Sequence, residues 1–123
     1  MTSRLVAALA ALMLALPVSA AEAPPQFAKS SLYKSVRSQL IGMGYAPLPQ
    51  KRDEDNSFMC GAFEGEPDIC KLYPEVVDCG GTGVRPCQFA FRRKSDGRRL
   101  TVLTYGEQTS RLMLMKTEWA RGD

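Results

Sequence analysis

Four cysteines are the feature of this sequence that most limits its fold. They lie close together and are separated by nine, eight and seven residues: Cys60, Cys70, Cys79 and Cys87. Zinc ligands usually occur as C-x2-C pairs or together with histidines, and this chain has no histidine. We therefore predict two disulfides and no metal site, which places the protein in an oxidising compartment.

Three pairings of four cysteines are possible, and the spacing alone does not choose among them. Glycines between Cys79 and Cys87 allow the backbone to adopt positive φ and bring the loop ends within the ~5.5 Å Cα separation of a disulfide. Glycine and proline also lie between Cys60 and Cys70. This composition favours the sequential pairs, Cys60 with Cys70 and Cys79 with Cys87.

The N-terminus has the three-part layout of a signal peptide. Arg4 precedes an apolar run over residues 5–16, and residues 17–20 end in the small-residue triplet Val-Ser-Ala. A helix over that run would be about 18 Å long, well short of the ~30 Å hydrocarbon core of a membrane. We predict cleavage after Ala20, no stable membrane span in the mature chain, and a periplasmic or secreted location.

The mature chain is predicted to be one domain with a flexible leader. Removal of residues 1–20 takes away one basic residue and lowers the formal net charge from +3 to +2, which disfavours a nucleic-acid binder. Residues 21–29, with two prolines, are predicted as a flexible leader. Residues 30–123 are predicted as a single globular domain, with an acidic loop over residues 50–74 that is held by its cysteines.

Hydrophobic periodicity predicts an α+β fold. Leu32, Val36 and Leu40 recur every fourth position after a serine N-cap at Ser30 or Ser31, and the polar residues of this helix lie opposite. Alternating segments at 88–92, 100–105 and 112–115 predict an antiparallel meander, and short strands at 45–48 and 75–79 are further candidates. The expected fold is one N-terminal helix packed on a sheet of three to five strands, stapled by two disulfides.

The residue types that common enzymes need are missing. Without histidine there is no imidazole base or ligand, and no Cys-x-x-Cys motif supports thiol exchange. Asp53, Asp55, Ser57 and Glu64 match part of a calcium loop, but Phe58 occupies the place of its required glycine, which favours a solvated acidic turn. These absences disfavour catalysis, and no cofactor or metal is expected.

A basic hairpin is the candidate binding site. An Asp-Gly turn between two predicted strands is surrounded by five cations: Arg92, Arg93, Lys94, Arg98 and Arg99. Such a cluster could bind an anionic partner. The alternative is that these cations only solubilise a hairpin exposed to water, and a third option is that they face the acidic loop of the same chain.

The cysteine-flanked segment 79–87 has the pattern C-x-G-T-G-x-x-P-C, and a second segment, Thr-Tyr-Gly-Glu, occupies residues 104–107. In these segments the chain resembles small exported proteobacterial proteins of uncharacterised function, which implies a periplasmic or secreted setting. The layout of one helix and a meander is also similar to peptidase-propeptide-like and β-lactamase-inhibitor-like modules, which bind proteins; this likeness is one of architecture.

The leading functional hypothesis is a non-catalytic interaction module that binds a protein or an anionic surface of the cell envelope. The alternative is a small hydrolase, or an inhibitor of an envelope hydrolase.

Reduction of the disulfides should destabilise the protein strongly. Each closed loop of roughly ten residues contributes about 2.5–3 kcal/mol in the chain-entropy model, a large share of the stability of a small domain. We expect a much lower melting temperature in dithiothreitol than in its absence, measured by circular dichroism on the oxidised mature protein. An unchanged melting temperature would show that the stability does not depend on the disulfides.

Overall fold

A computed structural model describes residues 21–81 and 83–121 of the chain. The predicted signal peptide, residues 1–20, lies outside the described residues. Within the described residues, no helix combines the length and the apolar character that crossing a membrane requires. The regular elements, in chain order, are α1 (Tyr33–Gly42), β1 (Tyr45–Pro47), α2 (Ile69–Leu72), β2 (Val76–Cys79), β3 (Cys87–Arg93), β4 (Arg99–Tyr105) and β5 (Met113–Trp119).

The fold is α+β, as predicted, with a five-stranded antiparallel sheet centred on β3. β3, β4 and β5 form the predicted meander. The two short strands share the other side of β3: β1 pairs with its C-terminal part, and β2 pairs with its N-terminal part. β3 therefore has neighbours on both sides along most of its length and is the central strand of the sheet, and its two aromatic residues, Phe89 and Phe91, are fully buried.

The turn between β3 and β4 confirms the Asp-Gly signal in the sequence. Gly97 has φ of +77°, a conformation that costs glycine little. Its N–H donates to the carbonyl of Arg93, and the N–H of Arg93 donates to the carbonyl of Arg98. This turn fixes the register in which Arg92 lies opposite Arg99.

The predicted serine cap of α1 is wrong. Leu32 is the N-cap residue, in an extended conformation without a side-chain cap, and Ser30 has φ of +59°. The reason is a tertiary contact: Leu32 forms an isolated antiparallel bridge with Met113, so that the residues before α1 extend the edge of the sheet at β5. The N–H of Leu114 donates to the carbonyl of Ser31, and the N–H of Tyr33 to that of Leu112.

The core lies between α1 and one face of the sheet, here called the inner face. Val36 and Leu40 of α1 are fully buried together with Phe89, Phe91 and Val102 of the inner face. Alternation along the strands places the intervening residues on the opposite side, the outer face. Its members are Gln88, Ala90 and Arg92 of β3, Arg99, Thr101 and Leu103 of β4, and Lys116 and Glu118 of β5.

Both disulfides form between the pairs that the sequence favours. Cys79 and Cys87 are directly opposite in the β2–β3 register, with their Cα atoms 4.1 Å apart. Cys60 and Cys70 have Cα atoms 5.1 Å apart and join a 3-10 turn, Phe58–Gly61, to α2. The Cys60–Cys70 disulfide thus closes a loop within the acidic segment 50–74, and the Cys79–Cys87 disulfide closes the hairpin between β2 and β3.

The segment predicted as a flexible leader makes defined contacts with the inner side of the sheet. Thr117 donates a hydrogen bond to the carbonyl of Pro25 at 2.5 Å, and the indole N–H of Trp119 donates to the carbonyl of Glu22 at 2.9 Å. Phe27 packs against the core. These contacts along β5 make the segment part of the packed domain in this structure, and they argue against its free removal.

Truncation of Phe27 tests whether this packing contributes to stability. We expect Phe27→Ala to lower the free energy of unfolding by about 1–2 kcal/mol, less than a fully buried phenylalanine would cost, because Phe27 is only partly buried. The matched control is Phe58→Ala, since Phe58 is 75% exposed and should change the value by less than about 0.5 kcal/mol. Equal effects of the two variants in urea unfolding would contradict a packed leader.

Candidate functional site

The structure divides the five cations of the predicted basic hairpin between the two faces of the sheet. Arg93 follows Phe91 by two residues and Arg98 precedes Leu100 by two, so both lie on the inner side. There they stack on Trp119, with guanidinium carbons 5.1 Å and 3.9 Å from the centroid of its ring. Two of the five cations are therefore occupied by contacts within the chain.

The same two arginines are paired with acids. Arg93 donates to both carboxylate oxygens of Glu22, at 2.6 and 3.0 Å, and to both of Asp96, at 3.0 and 2.6 Å. The hydrogen bond from Arg93, helped by the backbone N–H of Arg98, lowers the pKa of Asp96 to about 2. The hydrogen bond from Arg93 also lowers the pKa of Glu22. This cluster fastens the leader to the hairpin.

The remaining cations stay exposed to water. Arg92 lies opposite Arg99 in the register of β3 and β4, on the outer face, and Lys94 lies in the turn beyond them. We call these three residues the basic end of the outer face. Among the described residues, neither Arg92 nor Lys94 has an ion-pair partner. Of the binding site predicted from the sequence, the structure therefore leaves Arg92 and Lys94 free to meet a partner.

A second candidate lies on the other side of the molecule, in a cleft between α1 and α2 with a volume of about 370 Å³. Its walls combine two cations, two hydroxyls, an aromatic ring and one aliphatic side chain: Lys34, Arg37 and Ser38 of α1, Leu72 and Tyr73 at the end of α2, and Ser110. The three residues from α1 follow a spacing of three and four, which places them on one side of the helix.

A buried carboxylate fixes the arginine of this cleft. Glu75 is completely buried, and its Oε1 accepts hydrogen bonds from the Tyr33 hydroxyl at 2.8 Å and from Arg37 Nε at 2.5 Å. Its Oε2 has no hydrogen-bond partner among the described residues. The contact with Arg37 therefore engages one carboxylate oxygen and one guanidinium nitrogen.

The aromatic residues around this network are held tightly. Tyr33 stacks on Phe89 with ring centroids 3.8 Å apart and meets Tyr73 edge to face at 4.8 Å. Burial, with the adjacent charge of Glu75, raises the pKa of Tyr33, and burial raises that of Tyr73. Burial acts to lower the pKa of Arg37, but the hydrogen bond and charge of Glu75 raise it. Both tyrosines stay neutral and Arg37 stays charged at neutral pH.

The acidic loop does not gather its carboxylates into a site. Asp53 uses one oxygen to accept the backbone N–H groups of Asp55 and Asn56, as in a local turn. Asp68 lies near the sulfurs of Cys60 and Cys70, with ligand atoms within 4.8 Å, but these sulfurs are joined in a disulfide. Asp68 instead caps α2 by accepting the N–H groups of Cys70 and Lys71.

Comparison of the chain with protein-family models, with curated proteins and with solved structures finds no match. The resemblance to small exported proteobacterial proteins stays a prediction.

The cleft was missed at the level of sequence for an identifiable reason. Lys34, Arg37 and Ser38 lie on the polar side of the predicted helix, and a polar side is ordinarily solvated. Nothing in the residues around Glu75 indicates that its carboxylate is buried. The division of the hairpin cations between the two faces could have been predicted from the sequence. Residues two apart on a strand lie on the same face, so Arg93 lies on the face of Phe91, and Arg98 lies on the face of Leu100.

Removal of Arg37 should destabilise the fold, because the buried carboxylate of Glu75 would lose its cation. We expect Arg37→Met to lower the free energy of unfolding by about 2–3 kcal/mol, somewhat below the usual loss for a broken buried pair, because the Arg37 side chain is 30% exposed. The same substitution should cost clearly less in a Glu75→Gln background, where no charge is left unpaired.

Lys34→Met is the matched control for this experiment, because Lys34 is an exposed cation on the same helix and makes no ion pair within the described residues. It should change stability by less than about 0.5 kcal/mol in urea unfolding. If Arg37→Met costs the same with glutamate and with glutamine at position 75, the two side chains are not coupled.

Proposed function

We propose that this protein is a non-catalytic interaction module of the cell envelope, which binds an acidic surface of a partner protein through the basic end of its outer face. The envelope location is supported by the signal-like N-terminus and by two disulfides, which persist in oxidising compartments. The periplasm and the extracellular medium are both compatible with this proposal.

One observation carries the proposal. Glu22 and Asp96 lie on the inner side of the hairpin, where they form ion pairs with Arg93 and Arg98. The outer cations Arg92 and Lys94 have no such neutralisation within the described residues, and they lie at one end of a sheet face that α1 does not cover. The basic end is therefore complementary to an acidic partner surface.

The chemistry of the outer face favours a protein over a lipid membrane. Surface binding to membranes normally combines basic residues with large apolar side chains that insert between headgroups. Near the basic end, the outer face offers Ala46, Ala90 and Leu103 as apolar members, all partly covered. Its larger apolar side chains, those of Tyr105, Met113 and the exposed Met115, lie toward the opposite end of the sheet. An end with cations and no large exposed apolar side chain beside them is better suited to a folded partner than to insertion in a bilayer.

The test compares two variants of equal net charge. In one, Arg92→Glu and Lys94→Glu reverse the basic end; in the other, Lys29→Glu and Lys51→Glu make the same change at exposed positions elsewhere. The oxidised mature protein is used to capture a partner from envelope extract, and the affinity of the purified partner is then measured. We expect the first variant to bind at least about tenfold more weakly and the second within about twofold of the wild type.

Salt and vesicles complete the test. Binding through the basic end should weaken at high ionic strength, because exposed charges are screened. Vesicles of phosphatidylglycerol serve as the comparison. If they bind the protein, lose it upon reversal of the basic end, and no purified partner shows that dependence, the proposed protein partner is wrong and the anionic surface is the ligand.

A further inference from the structure

The cleft between α1 and α2 has the composition of a site for a small organic anion, and it lies on the helical side of the sheet, away from the outer face. Its volume of about 370 Å³ is within the range of small-molecule sites. None of the described residues that line it carries a carboxylate. An anion that entered would meet two cations and no lining acid.

Arg37 is held in place before any ligand arrives. Its Nε is bonded to the buried Glu75, and its guanidinium carbon lies 5.7 Å from the centroid of the Tyr73 ring. The loss of side-chain entropy is a main cost of ligand binding, and for Arg37 much of this entropy is already lost when the protein folds. An arginine positioned in this way binds a carboxylate more favourably than a freely moving one.

The terminal nitrogens of Arg37 are not used by Glu75. Only Nε donates to the carboxylate, and neither Nη1 nor Nη2 makes a hydrogen bond to any of the described residues. These two nitrogens form the fork that a carboxylate accepts in a bidentate contact. Lys34 lies one helical turn away, and the hydroxyls of Ser38 and Ser110 supply further donors.

The remaining wall is apolar. Leu72 is 41% exposed, and it lines the cleft together with Tyr73. A free inorganic anion would leave this surface in water, whereas a ligand with a short hydrocarbon or aromatic body would cover it. The apolar wall therefore distinguishes an organic acid from phosphate.

We propose that the cleft binds the carboxylate of a small organic acid, with Arg37 and Lys34 holding the carboxylate and Leu72 and Tyr73 covering its apolar body. This site is separate from the basic end of the outer face, so that either proposal can fail without the other.

Benzoate is the probe for this site, followed by NMR of the isotope-labelled, oxidised mature protein. We expect saturable shifts of the Arg37 side-chain N–H signals and the Leu72 methyl signals. Benzyl alcohol keeps the ring without the charge, and inorganic phosphate keeps charge without the ring. Both should bind at least about tenfold more weakly than benzoate, because each lacks one half of the recognition.

Three variants connect the shifts to the cleft. Arg37→Gln should weaken benzoate binding by about tenfold or more, and Lys34→Gln by about threefold. Lys29→Gln, an exposed change of the same charge outside the cleft, should leave the affinity unchanged. If Arg37→Gln proves unfolded because it unpairs Glu75, Lys34→Gln and the comparison of ligands decide the question in the intact fold.

Several results would overturn the proposal. Equal binding of benzyl alcohol would show a merely apolar cleft, and equal binding of phosphate without shifts of Leu72 would show unspecific anion attraction. Benzoate affinity that survives Lys34→Gln and Arg37→Gln in folded protein would place its binding elsewhere.

Discussion

The buried carboxylate of Glu75 is the constraint on which the arrangement of helix and sheet depends. A charge removed from water costs several kcal/mol unless a cation and hydrogen bonds compensate it. Here the compensation comes from Tyr33 and Arg37, one turn apart on α1, while the backbone carbonyl of Glu75 accepts the N–H of Ala90 in β3. The helix can thus satisfy Glu75 in only one rotation and position over the inner face.

This restriction matters because the apolar contacts of α1 alone do not define its orientation. Val36 and Leu40 are aliphatic and tolerate small displacements against a sheet. The stacking of Tyr33 on Phe89 and the edge contact with Tyr73 require a defined geometry, and both depend on where the Tyr33 hydroxyl meets Glu75. The disulfides act differently: they shorten the loops on either side of Glu75 and so limit the unfolded chain.

Features that depend on neighbouring residues could be predicted from the sequence, whereas features that depend on tertiary contacts could not. The Asp-Gly turn, the meander and the glycine-rich loop between Cys79 and Cys87 follow from neighbouring residues, and all appear as predicted. The serine cap of α1 was wrong because Leu32 pairs with Met113, far away in sequence. The burial of Glu75 could not be predicted, since its partners lie on a helix more than thirty residues earlier. Of the candidate site, the five cations were identified, but their separation by face required attention to strand parity.

That separation also bears on why the hairpin is so basic. If its cations served only to keep the hairpin in water, acids on the same surface would serve as well, because mixed charges are sufficient for solubility. In the structure, Glu22 and Asp96 instead pair with the inner arginines, which also contact Trp119 through cation–π interactions, and the outer-face acid Glu118 pairs with Lys116. Arg92 and Lys94, which have no ion-pair partner among the described residues, therefore leave an excess of positive charge at one end of the outer face. Charge of one sign raises the rate at which an acidic partner finds that face, and this is the physical reason for proposing that Arg92 and Lys94 serve recognition, while Arg93 and Arg98 fasten the leader.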